Sequence, residues 1–357
     1  MIYSYQHLRR FIFNVCVKMG CPPEHAEITA DILMAAELRN ISSHGVSRLK
    51  DYVNLWKSNR INSNPEIKIV HETLSTGVID GNAGLGMVVG KFAMLLAIKK
   101  AQNVGTAWVA VRNSNHFGIA GYYAMMALEH DMIGISMTNA NPLVAPTFSV
   151  DRLLGTNPIA VAIPAGIHPP FVADFATTPI ARGKLDIMHK KDLKAPFGFV
   201  QDKTGKSSDN PDILTQGGAI LPLGGDYLHG SHKGYCLGSI VDIFSALLSG
   251  ANFGPFVPPS VAYLPVLEDT TGIGTGHFFG AMRIDAFQTK DAFKQQMDLW
   301  IETFKKAQTI EGEDSVVIPG EPERKWEAVR MKEGIPVLDK VVNDLQQIAI
   351  DFKIEKL

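Results

Sequence analysis

Long apolar runs are missing from this 357-residue chain. With no run of roughly 18 apolar residues, no membrane-spanning helix is expected. Cysteine is scarce: Cys16, Cys21 and Cys236 are an odd number at no metal-ligand spacing. That excludes a disulfide framework and points to a reducing compartment. Charge of one sign is also missing, since 34 basic residues face 36 acidic ones for a net charge of −2. No long basic block stands out, so a nucleic-acid partner is not expected. Arg9-Arg10 followed by FIFNVCVKMG only imitates a signal peptide. Asn14 and Lys18 interrupt it and no small-residue cleavage site follows, so it reads as a first amphipathic helix and the expected location is cytoplasmic. HExxH, CxxC, G-x-S-x-G and P-loop strings are absent, leaving zinc, serine or nucleotide-driven hydrolysis without motif support.

What is present is an ordinary globular composition, 46% hydrophobic and 20% charged, long enough for two or three structural units. The first 65 residues read as helices: one over 4–19, one opened by Pro22-Pro23-Glu24 and ending near Arg39, and one after the turn Ser42-Ser43-His44-Gly45. After Pro65 the pattern changes. EIKIVHE and TGVIDG alternate as strands, and helix and strand patterns then follow one another through GMVVGKFAMLLAIKKAQN, GTAWVAVRN, GIAGYYAMMALEHD and MIGISMTN. Further strands are expected at NPIAVAIP, PFVADFA and HFFGAMRID, with helices near 179–191, 233–250 and 288–308. Residues 194–232 read as long loops, 312–322 as a connector, and two short helices finish the chain.

Val78-Ile79-Asp80 followed by Gly81, Gly84, Gly86 and Gly90 outlines a strand–glycine loop–helix dinucleotide unit. The spacing is GxGxxxG rather than GxGxxG, and the next strand ends in Arg112 rather than an acid. The glycines are better read as letting a helix pack close to a sheet. Gly272, Gly274 and Gly276 lead into a strand and form a loop.

Histidine carries the stronger signal. His44 sits among serines one helical turn before Arg48, and His116 lies in Asn113-Ser114-Asn115-His116-Phe117-Gly118 where a strand gives way to a helix. Ligands gather at such strand ends, and imidazole titrates near neutrality, which suits proton transfer. Polar stretches recur at 137–142, which holds Asn139 and Asn141, and at 155–158, 174–178 and 230–234. Ser231 at a helix start suits a phosphate, with Lys233 or Lys184 adding charge. A metal site using His44 and His116, as in a His-based metal hydrolase, stays open, although no carboxylate cluster accompanies it.

Together SSHGVSRL (42–49), NSNHFGIAGYYA (113–124), LGTNPIAVAIP (154–164), HKGYCLGSIVDIFSALLSGANFG (232–254) and IPGEPE (318–323) resemble, in order, the malate/L-lactate dehydrogenase family. Its NAD(P) fold is not of the Rossmann type. The resemblance implies an α/β, mixed-sheet fold with a helical lobe built from both termini: residues 1–65 joined by C-terminal helices within 288–357, around an α/β region over 66–287. It implies an enzyme that interconverts a 2-hydroxy acid such as malate or lactate with its 2-oxo acid, using NAD or NADP, with malate dehydrogenase activity first. Reduction of cyclic imino acids and oxidation of ureidoglycolate are the alternatives within the family. By resemblance, His116 is the proton acceptor and His44 a second acid/base. The resemblance also implies that Arg48, Tyr52 and Asn141 face the substrate and that Ser43, Asn139, Asp174, Phe175, Ala176, Lys184, Ser231, His232, Lys233, Gly320 and Glu321 line the cofactor. No resident metal is implied, and the assembly implied is a homodimer, with Ile240 to Leu248 as a candidate contact.

Overall fold

The computed structural model describes residues 1–268 and 270–357. Strand β1 (Ile2–Tyr3) leads into helices α1 (Tyr5–Lys18), α2 (Pro23–Leu38) and α3 (Leu49–Lys57). Ser4 caps α1 by accepting from the His7 amide, and Pro23 opens α2, where a missing N–H costs nothing. Strands β2 (Lys68–Glu72) and β3 (Thr76–Asp80), helix α4 (Gly86–Val104) and strand β4 (Thr106–Ser114) follow. Then come α5 (Ala120–Met126), β5 (Met132–Thr138), β6 (Ile159–Ile163), β7 (Phe171–Phe175) and α6 (Arg182–Lys190). Three two-residue strands, β8 (Val200–Gln201), β9 (Ser207–Ser208) and β10 (Ala219–Ile220), lie where the sequence suggests only loops. Helix α7 (Ser231–Asp242) runs into a π turn at Ile243–Leu247. The chain ends with β11 (Thr275–Arg283), α8 (Lys290–Lys305), α9 (Glu321–Glu333), β12 (Ile335–Pro336) and α10 (Asp339–Phe352).

Seven strands form one sheet in the order β2-β3-β4-β11-β5-β6-β7. Only β3 and β4 are parallel; α4 makes their crossover, and every other pairing is antiparallel. β11 arrives late in the chain yet lies at the centre, which is why seven of its nine residues are buried. Its Phe279 meets α4 and α5 on one face, while Phe278 packs against Phe244 of the π turn on the other. The sheet is therefore covered on both sides, with α4 and α5 opposite α7.

The helical lobe draws on both termini. α10 packs on α1 and α3, α9 packs on α2, and β1 pairs with β12. The C-terminal stretch expected to join this lobe divides, because α8 packs elsewhere. Asp298 of α8 accepts from the backbone amides of Gly166, Ile167 and His168, and Trp300 meets Phe171 edge-on. One continuous core runs from Leu8 and Ile32 of the lobe through Met87 and Phe279 of the sheet region to Leu345. A second, smaller core gathers Val144, Leu154, Leu185, Val200 and Ile220 around α6 and the β10-β8-β9 sheet.

Candidate functional site

His44 sits in a single 3₁₀ turn, Ser42–His44, just past the end of α2. Its Nδ1 lies 3.0 Å from Ser43 Oγ. Arg48 folds back so that Nε donates to Ser43 O at 2.8 Å, and Nη1 reaches Asp51 at 3.3 Å. His116 occupies the loop between β4 and α5. The preceding Asn115 is fixed by its amide, which donates to Ala83 O at 2.9 Å and Gly84 O at 3.0 Å. The glycine loop is thus a structural support for the histidine loop. A Cβ on Gly86 would overlap the carbonyl oxygens of Asn115 and His116, and one on Gly90 would lie 2.9 Å from the Tyr123 ring.

The two histidines meet. Their rings stack with centroids 5.4 Å apart and planes 23° from parallel. Burial, reinforced by the Arg48 charge, pushes His44 down to about 4. Burial also holds His116 well below its usual range, with His44 and Arg48 adding to the effect. Both rings are therefore neutral near pH 7. Two adjoining hollows share His44, His116, Ala140, Asn141, Thr156 and Ser260 as walls. Ser43, Arg48, Asp51 and Arg182 line the larger, and Asn115 and Asn139 line the smaller. Together they make a cleft with polar walls, in which Arg48 stands beside Asp51 and Arg182 beside Asp186. Among the described residues no group of three or more His, Cys, Asp or Glu is placed to hold a metal ion.

The cleft unites Ser43, His44, Arg48, His116, Asn139 and Asn141. Tyr52 is 1% exposed and sits behind His116, with Oη 2.8 Å from His116 Nδ1. Asn139 borders the cleft, but its amide is spent on the protein: Nδ2 donates to Asp242 and to Asn252 O, and Oδ1 accepts from Gly276 N. Gly320 and Glu321 lie along the outer edge of β7, where Pro319 O accepts from Val172 N at 3.0 Å. The Glu321 carboxylate is taken up by Lys305 at 2.6 Å.

The other expected cofactor residues lie beyond the cleft. Asp174, one residue before the end of β7, accepts from Gly121 N at 2.7 Å, and burial pushes its carboxyl up to about 6. Phe175 is exposed and is followed by Ala176. Thr177 O then accepts from Leu223 N, and Gly234 of α7 packs on Leu223. The 174–177 stretch is thereby brought beside the start of α7, where Ser231 is buried and His232 and Lys233 are exposed. Lys184 is exposed on α6.

Sequence reasoning missed Arg182, Ser260, Glu37 and His277. Arg182, two residues before Lys184, could have been flagged; Ser260 had no signal. His277 reads as one more strand residue, yet its ring bridges Thr138 Oγ1 and Ser114 Oγ, each at 2.7 Å, tying together the ends of β5 and β4.

A family model described as malate/L-lactate dehydrogenase matches residues 3–346. The malate dehydrogenase of Pyrococcus horikoshii is 42% identical over 348 residues, covering 97% of this chain and 94% of that protein. The L-sulfolactate dehydrogenase of Methanocaldococcus jannaschii is 40% identical over 348 residues, covering 98% and 96%. The solved structure of the sulfolactate dehydrogenase from that organism superposes with a TM-score of 0.90, covering 99% of this chain and 98% of that one.

Proposed function

The chain belongs to the malate/L-lactate dehydrogenase family, and from that premise we propose that it interconverts a small 2-hydroxy acid and its 2-oxo acid with NAD or NADP. The observation that carries the reading is the neutral, stacked pair His44–His116 sharing a cleft with Arg48. A neutral imidazole accepts the hydroxyl proton during oxidation, and the imidazolium returns it to the forming alkoxide during reduction. His116 takes this role. Tyr52 Oη at its Nδ1 fixes the ring, so that Nε2 is the nitrogen left for the substrate. As the base, His116 carries its own proton on Nδ1 and donates it to Tyr52 Oη, which leaves the Nε2 lone pair for the substrate proton. Arg48, with Nε and Nη1 already held, keeps Nη2 for a substrate carboxylate. That carboxylate also offsets the arginine charge, which lets the histidines take up a proton more readily when substrate is bound.

The cleft also fits a dinucleotide in chemistry. Its walls offer the amide of Asn141 and the hydroxyl of Thr156, and Arg182 supplies a cation where α6 begins. Beyond it, exposed Lys184, and Lys233 at the start of α7, suit phosphate. When bound, the nicotinamide donates or accepts the hydride.

Two arginines, Arg48 and Arg182, line the same hollow. This favours a substrate with two anionic groups, malate before lactate, with sulfolactate as the second reading because a sulfonate satisfies the same pair. A homodimer is part of the proposal. Ile240, Ile243, Phe244, Leu247 and Leu248 on α7 and its π turn are 38–56% exposed, an apolar strip suited to a second copy.

The test is loss of the nicotinamide absorbance on mixing the protein with NADH or NADPH and, in parallel, oxaloacetate, 3-sulfopyruvate, pyruvate or a cyclic imino acid. Rapid oxidation with a dianionic 2-oxo acid is expected. Oxidation with the imine alone would move the function to imine reduction, and none with any pair, together with no dinucleotide binding, would overturn the reading.

A further inference from the structure

The turn that carries His44 and Arg48 is built around a buried carboxylate from another element. Glu37, near the end of α2, is 1% exposed. Its Oε2 accepts from Ser42 Oγ at 2.8 Å, and its Oε1 accepts from Val46 N at 2.9 Å. These contacts grip the residues on either side of Ser43-His44-Gly45. Gly45 is glycine for the same reason: a Cβ there would overlap the Glu37 carboxylate.

The carboxylate has a counter-ion from the far end of the sequence. Arg330 of α9 is 6% exposed, and its Nη1 lies 3.6 Å from Glu37 Oε2. The same Nη1 donates to Ser42 Oγ at 3.2 Å and to Glu37 O, while Nη2 donates to Asn40 Oδ1. Asn40 is in the left-handed region at φ 62°, so the guanidinium fastens the strained residue that turns the chain out of α2. Arg39 and Glu327, 3.5 Å apart, add a second link between α2 and α9.

A buried ion pair is weak evidence for stability, because taking both charges out of water offsets their attraction. What it supplies here is a fixed shape. We propose that Glu37 and Arg330 are positioning residues: a buried charge pair that moulds residues 40–46 and so presents His44 and Arg48 to the cleft. Neither residue lines that cleft. Arg48 Nε donates to Ser43 O, and Ser47 Oγ donates to Ser42 O at 2.7 Å, so a shift of the turn moves the arginine with it. The inference rests on the reading of His44 and Arg48 as substrate-handling groups.

The test compares the full-length protein with Glu37→Gln and Ser42→Ala. Glu37→Gln keeps the shape of the side chain, and Ser42→Ala removes one grip with little risk to folding. Steady-state kinetics with the preferred 2-oxo acid are read beside the dissociation constant of the dinucleotide and the His44 imidazole titration by NMR. Expected for Glu37→Gln is a rise of about tenfold or more in KM for the acid. Dinucleotide affinity should change less than KM, and the His44 titration should move up toward the usual histidine range as the turn loosens. Ser42→Ala should move the same quantities less. A purely structural role would lower the melting temperature and the active fraction and leave KM and the His44 titration of the folded molecules as they were; that result would overturn the proposal. If the unaltered protein turns over no 2-oxo acid, the dehydrogenase reading fails by itself. The NMR titration then still decides whether Glu37 shapes the turn: a shifted His44 resonance supports it and an unshifted one refutes it.

Discussion

Replacing His116 by alanine removes the proposed proton carrier, and turnover should fall by about 10²–10⁴, the usual contribution of general acid–base catalysis. A variant with near-normal turnover in the nicotinamide assay would remove His116 from the chemistry. Arg48→Lys should act on binding, because an ammonium cannot hold Ser43 O and Asp51 in the plane of a guanidinium while presenting a further N–H to a carboxylate; the expected result is a raised KM for the acid with a smaller change in kcat. A pH dependence of stability follows from the same histidines. Folded His44 stays neutral down to about 4 and His277, also depressed by burial, down to about 3. An unfolded histidine takes its proton near pH 6.5, so below that value the unfolded chain binds more protons. The stabilisation is full above roughly pH 6.5 and is lost as pH falls toward 4. Urea unfolding should show a loss of about 2 kcal/mol per histidine between pH 7 and pH 5, and equal stability at both would refute the buried neutral state. At this scale the sequence was legible where polar residues cluster beside a motif, as around His44 and His116. It was illegible where a partner comes from a distant element: Tyr52 behind His116, Arg330 beneath the 42–46 turn, and His277 between two strand ends are joined by folding alone.

At the scale of elements, periodicity locates the strands and helices whose burial alternates along them, such as β3, β5 and α1, while β11 is legible as a continuous apolar run. The misses have physical causes. β8, β9 and β10 are too short for any period to show, and β1 pairs with a strand more than 330 residues away. The placement of β11 between β4 and β5 was equally hidden, since its own sequence shows a buried strand but not its neighbours. The glycine loop brings α4 up against the His116 loop, the packing role that its spacing suggests. Gly86→Ala should therefore cost about 1–3 kcal/mol by overpacking. Because the displaced atoms belong to Asn115 and His116, turnover should fall as well. Denaturant titration and kinetics on the same sample check both, and an unchanged midpoint would show that the helix can yield.

For the whole molecule, the apolar strip on α7 and its π turn makes a prediction about assembly. Leu247→Glu places a charge in the proposed contact, and sedimentation should show a dimer become a monomer. A protein that is monomeric before the substitution would end the homodimer proposal. The main core joins the helical lobe to the sheet without a break, so these two cannot swing as separate bodies. The cleft, however, has walls from two cores: His44, Arg48 and His116 stand on the large one, while Leu143, Arg182 and Gly183 stand on or beside the small one that packs around α6. The floor and one wall of the cleft therefore belong to different packing units. Amide exchange over 182–190 should slow when dinucleotide and acid bind together and stay constant in α4; unchanged exchange over 182–190 would show that the smaller wall does not answer to the ligands.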